Sequence, residues 1–164
     1  MKKIILAAAL FLAVALCASA QNLSSLSKAA RMAYDWLSEE GYKPYIDEDG
    51  DVAFKVQGEM FYIDNDTDDQ TYLCFLVPNV YEVDLEDEDQ CVNALLACNE
   101  FTRSKRLISC AINKAGGITF YAETYLGEGP CDISEFMDTA IDFITRGIKS
   151  WLEIYTDYAA DEDD

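Results

Sequence analysis

The sequence predicts an α+β domain: a mostly antiparallel sheet of about six strands flanked by three helices, in the order α-β-β-β-β-α-β-β-α. Three observations carry that prediction. Helical apolar spacing recurs in three separate stretches, near the start, middle and end of the chain. Four short strand-like segments, divided by glycine and aspartate turns, lie between the first two. A further strand pair, joined across a glycine-rich loop, lies between the second and the third. The chain has 164 residues, of which 51% are apolar and 12% aromatic, enough for one core and too apolar for intrinsic disorder.

Over 23–40 the apolar positions Leu26, Ala30, Ala33 and Leu37 repeat at helical spacing, and Gly41 supplies the stop. Strands are expected over 42–47, Val52–Val56, 59–64 and 71–77, with Gly50, Gly58 and the acidic run 64–69 as turns. Val52, Phe54 and Val56 alternate with Ala53 and Lys55, as in a strand with one buried face. The stretch from Tyr72 to Val77 is apolar on both faces, which marks a central strand, and Pro78 ends it. A second helix is expected over 86–101. Its first turn carries Glu86, Asp87, Glu88 and Asp89, and its end is followed by Arg103, Lys105 and Arg106, so both ends complement the helix dipole. Segments 107–112 and 118–126 then pair across 113–117. After Pro130, Asp132 is expected to cap the last helix, with Glu135 three residues on as in a capping box. Ile133, Met137, Ala140, Ile144, Ile148, Trp151 and Tyr155 hold one stripe of that helix.

The first twenty residues read as an address. Met1, Lys2 and Lys3 precede an unbroken apolar run over 4–16, and Cys17, Ala18, Ser19 and Ala20 form the small-x-small end of a secretory signal peptide. As a helix that run rises only ~20 Å against a hydrocarbon core of ~30 Å, so a retained anchor is the minor alternative. A lipoprotein cysteine at Cys17 is another, but Leu16 stands where a small residue is needed. The expected organisation is a cleaved signal peptide over 1–20, one exported domain over 21–158 and a solvated acidic tail over 159–164. Its location is then periplasmic or extracellular.

Charge and composition exclude several function classes. The formal charge is −19, and losing Lys2 and Lys3 with the leader leaves ten Lys/Arg against thirty-one Asp/Glu, or −21. Such a surface repels phosphate backbones and anionic headgroups, so nucleic acid and stable membrane insertion of the mature chain are not expected. The absence of histidine removes Ser-His-Asp and Cys-His nucleophiles and His-ligated zinc.

The mature chain keeps Cys74, Cys91, Cys98, Cys110 and Cys131, an odd number in a compartment that permits disulfides. Cys91 and Cys98 share a helix face but lie ~10 Å apart along it, beyond bridging distance. Cys74 and Cys110 read as small core residues of strands. Buried free thiols with at most one bridge are expected, and no Cys-x-x-Cys motif supports redox catalysis.

Asp64, Asp66 and Asp68 alternate as positions 1, 3 and 5 of a calcium loop do. The remainder of that pattern fails: Asp69 stands where glycine is required and Phe75 where a bidentate glutamate is required. A polar turn between strands is the alternative. Asp47, Glu48, Asp49, Gly50 and Asp51 read as a hairpin turn. Paired carboxylates could serve acid–base chemistry only in a cleft that raises one pKa, and these acids lie in turns. No catalytic, cofactor-binding or metal-ligating residue is therefore assigned, and no cofactor is expected. Trp36 and Trp151 are expected in the core, whereas Tyr155 and Tyr158, beside the acidic tail, are candidates for a partly exposed patch.

The order from Trp36, Gly41 and Tyr42 through Asp47–Asp51, Phe54, Gly58, the apolar strand from Tyr72 to Val77, then Asn93, Asn99 and Glu100, a glycine-containing hairpin and a long final helix resembles the YbjN-like domains, which share the fold of type III secretion chaperones. The resemblance spans about 24–158 and contains no catalytic motif. It implies an α+β sandwich that binds other polypeptides or itself, as acidic dimers of that fold do. The expected function is an exported, non-enzymatic protein-interaction module, a homodimer or the binder of a basic or apolar polypeptide. The alternative is a calcium-stabilised domain using Asp64, Asp66 and Asp68.

Overall fold

A computed structural model describes residues 23–127 and 132–160 of the chain. The predicted signal peptide, Cys131 and residues 161–164 of the predicted tail lie outside the described residues. A 3-10 turn at Leu23–Ser25 precedes helix α1, Lys28–Glu39, so helix begins later than the periodicity predicts. Ser27 is the reason. Its extended backbone interrupts the spiral, and its buried Oγ accepts a hydrogen bond from the Ala30 N–H at 3.1 Å. The two N–H groups before that one donate to Gln70: Lys28 to the side-chain oxygen at 2.9 Å and Ala29 to the carbonyl at 3.1 Å. The first turn therefore leaves no orphan donor among these three.

Strands β1 (Tyr45–Ile46), β2 (Val52–Val56), β3 (Glu59–Ile63), β4 (Tyr72–Val77), β5 (Ile108–Ile112) and β6 (Ile118–Tyr125) form one sheet in the order β1-β2-β3-β4-β6-β5. Every pairing is antiparallel. With α1, α2 (Glu88–Ser104) and α3 (Ser134–Ala160), the element order is the predicted one. The strand expected over 42–47 shrinks to two residues, because Pro44 has no N–H to donate to the ladder.

Register decides which residues enter the core. Phe54 lies opposite Phe61, Ile63 opposite Phe75, Phe75 opposite Ala122, and Phe120 opposite Cys110. All of these point to the face that the helices cover. Phe136 of α3 meets the Phe75 ring at 5.8 Å, Phe101 of α2 meets Phe120 at 5.2 Å, and Tyr42 links Trp36 to Phe54. Burial of such rings removes ~150–250 Å² each from water and is the main stabilising term. The opposite face carries the cross-strand row Tyr45, Ala53, Tyr62, Leu76, Tyr121 and Ser109, most of it half-buried or exposed.

Both tryptophans are buried as expected, but Tyr155 is not part of an exposed patch. It is 9% exposed, stacked on Trp151 at 5.2 Å and held against Tyr81 at 5.1 Å. Helical geometry places residue 155 directly above 151, so it keeps its place in the apolar stripe. Tyr158 is half-buried, with its hydroxyl 2.7 Å from Glu100 Oε2. At the other end of α3, Asp132 lies one residue outside the capping position: its Oδ1 accepts from the Ser134 N–H at 2.9 Å, while Met137 N–H bonds the Ile133 carbonyl. Ala159 and Ala160, expected in the tail, close the helix.

Candidate interaction surface

The acidic turn between β3 and β4 is a connector. Asp66 Oδ1 accepts the N–H groups of Asp68 and Asp69 at 2.9 and 3.0 Å, and Asp69 Oδ1 accepts the N–H and the hydroxyl of Thr71. The bonds from Thr71 hold the Asp69 carboxyl below the ordinary carboxylate range. Between the acids, Asn65 does what the sequence reading missed. Its Oδ1 accepts the Ser27 N–H at 2.7 Å, its Nδ2 donates to the Ser25 carbonyl, and its own N–H donates to Asp51 Oδ1. The turn is thereby tied to the start of α1 and to the β1–β2 hairpin. The structure does not gather Asp64, Asp66 and Asp68: among the described residues no three Cys, Asp or Glu side chains form a group able to hold a metal ion.

Burial, with a lesser contribution from neighbouring acids, raises the pKa of Asp51 and of Asp64 above the usual carboxylate value. Both are half-buried, and no described Asp or Glu is fully buried. Nearby, Asp66, Asp69, Tyr72, Glu123, Thr124 and Tyr125 line an open hollow of about 370 Å³. The Tyr72 hydroxyl donates to Glu123, and burial together with that bond pushes its pKa up.

A different surface stands out on α2. Its inner face buries Asn93, Ala94, Ala97, Cys98 and Phe101 against the sheet and α3. Its outer face presents Glu88, Asp89, Val92, Leu95, Leu96, Asn99, Thr102 and Arg103 to solvent. Val92, Leu95 and Leu96 are 45%, 58% and 42% exposed, and Leu85 and Leu107 are exposed just beyond the two helix ends. An outward row of large apolar side chains costs solubility unless something covers it. The sequence did contain the signal, since apolar residues occur on all sides of the middle of this helix.

Charge is divided along the same helix. Asp87 caps its start, its carboxylate accepting the Gln90 N–H at 3.1 Å, with Glu88 and Asp89 in the first turn. At its other end Lys105 and Arg106 join Arg146 of α3 around a cleft of about 420 Å³ that Ser104, Phe143 and Ser150 also line. In an otherwise strongly acidic molecule this end of α2 is the cationic one.

No protein-family model and no curated protein matches the sequence. Among solved structures, the chain is similar to YbjN from E. coli, with a TM-score of 0.49 and 9% identity, covering 80% of this chain and 91% of that one. It is also similar to an uncharacterized protein from Methanothermobacter thermautotrophicus, with a TM-score of 0.42 and 12% identity over 80% of this chain and 97% of the other. Among the described residues, no helix is long and apolar enough to cross a membrane.

Proposed function

We propose that the chain is an exported, non-enzymatic protein-interaction module, periplasmic or extracellular, which pairs with a second copy of itself along the outer face of α2. One observation carries this reading: the exposed row Val92, Leu95 and Leu96 at the centre of a helix whose ends have opposite charge. The helix spans Glu88–Ser104, so its midpoint is Leu96. A two-fold contact between antiparallel copies sets Leu95 against Leu96, Val92 against Asn99, and Glu88 and Asp89 against the partner's Arg103. Such an isologous contact is self-complementary. It also brings acid to base where a surface of net charge −19 would otherwise repel its copy.

No described Asp or Glu is buried, and Asp47, Asp66 and Asp69 are bonded to N–H groups of their own turns, which supports the non-enzymatic part. The apolar start of the sequence supports export.

A single helix ~25 Å long makes a contact at the small end of specific interfaces, so the dimer is weak, with a Kd on the order of 1–100 µM. Sedimentation equilibrium from low to high micromolar concentration is expected to give a mass rising from one chain to two. Leu96→Asp should leave a folded monomer. Glu88→Arg should weaken the dimer about tenfold, and adding Arg103→Glu should restore it. A mass of one chain at every concentration overturns self-pairing.

A further inference from the structure

Cys98, on the third turn of α2, and Cys110, in the middle of β5, are both buried, 6% and 8% exposed. They come from elements that pack directly on each other across a short corner. Cys110 Sγ lies 3.9 Å from the Cys98 carbonyl oxygen, which sets the two buried cysteines side by side. The Cys110 N–H is tied to Thr102 Oγ1 at 3.3 Å, which fixes the strand beside the last turn of the helix. The corner between them bends at Leu107, whose φ of +72° is unfavourable for a side chain with a Cβ. Cys74 and Cys91 instead direct their sulfurs to the carbonyl oxygens of Phe75 and Asp84.

We infer that Cys98 and Cys110 are a disulfide-forming pair, oxidised by thiol–disulfide exchange to a covalent tie between α2 and β5. The oxidant is a disulfide, either that of a dithiol oxidoreductase or of a small thiol such as glutathione. The Cys98 thiolate attacks one sulfur of the oxidant, forming a mixed disulfide and releasing one thiolate. The Cys110 thiolate then attacks the Cys98 sulfur, forming the Cys98–Cys110 bond and releasing the second thiolate. Both cysteine protons leave with these groups, and the oxidant's S–S bond takes up two electrons. Local electrostatics favour that order. The neighbouring Cys110 thiol holds Cys98 below the usual thiol range, and Cys98 together with burial pushes Cys110 up.

The inference rests on the export reading only for where oxidation happens, not for whether the pair can close. The test therefore has two arms. In the first, reduced full-length chain is incubated in a glutathione disulfide buffer, alkylated under denaturing conditions, digested and mapped by mass spectrometry. The segment containing Cys110 should be found linked to that containing Cys98, unchanged in Cys74→Ser and Cys91→Ser and absent in Cys98→Ala. Reduction of the closed form should lower Tm by about 5–10 °C, and circular dichroism of Cys98→Ala checks that the variant folds. Full alkylation of Cys98 and Cys110, or linkage of Cys110 to another cysteine, overturns the pair. In the second arm, the chain is recovered from cells and alkylated at once. A closed pair in that material supports both readings, whereas a chain that closes with glutathione yet emerges reduced overturns export and retains the pair.

Discussion

Asp64 is placed where burial disfavours its charge. It is half-buried at the end of β3 with Asp66 beside it, and burial first, then that neighbour, raises its pKa. A carboxyl raised in the folded state is easier to keep protonated there than in the unfolded chain. The resulting penalty is absent below the ordinary carboxylate value, grows as pH rises through the folded value, and is complete above it. Asp64→Asn is therefore expected to raise Tm at pH 7 by a few degrees at most, since the group is mostly solvated, and the gain should vanish near about pH 3. Thermal melts of both proteins across pH 3–8 check it; a gain that persists at the acid end would refute the electrostatic cause. The residue scale also shows where sequence patterning misleads. Alternating acids resemble cation ligands, yet the residue that organises this turn is Asn65, whose partners Ser25, Ser27 and Asp51 are far off in sequence.

At the scale of elements, most boundaries were legible because they depend on local chemistry. Asp87 starts α2, Pro78 follows the end of β4, and Asn113 organises the β5–β6 hairpin by accepting the N–H groups of Ala115 and Gly117. The hairpin glycines have a second role that spacing could not reveal. The connection after β4 runs beside them: the Val83 N–H donates to the Gly116 carbonyl, and the Ile118 N–H to the Tyr81 carbonyl. At Gly116, with φ +91°, an added Cβ would come within 2.3 Å of the Val83 carbonyl oxygen. Gly116→Ala is expected to destabilise by about 2–4 kcal/mol, a Tm loss of ~6–12 °C. Differential scanning calorimetry measures it, and a loss under a degree would mean that the connection moves freely. The outer face of α2 belongs to this scale too. Its apolar residues are visible in the sequence, but which side of the helix would be left uncovered depended on where the sheet and α3 packed.

For the whole molecule, charge is the dominant long-range quantity. With 31 acidic and 12 basic residues, compaction brings like charges together, and screening should relieve that repulsion. Raising NaCl from 10 to 300 mM is expected to increase Tm by about 3–8 °C, with calcium chloride at matched ionic strength giving the same rise. A calcium-specific increase abolished by Asp66→Ala would restore the cation-loop reading.

The sequence by itself determined the element types, their order and the acidic character of the surface. These follow from residue periodicity, caps, turn formers and charge, all of which act over a few neighbouring positions. Tertiary structure alone decided that Asn65 clamps the start of α1, that Cys110 lies beside Cys98, and that one apolar side of α2 stays open. Each of those depends on register and on which helix face meets the sheet, and such contacts join residues whose closeness no local pattern encodes.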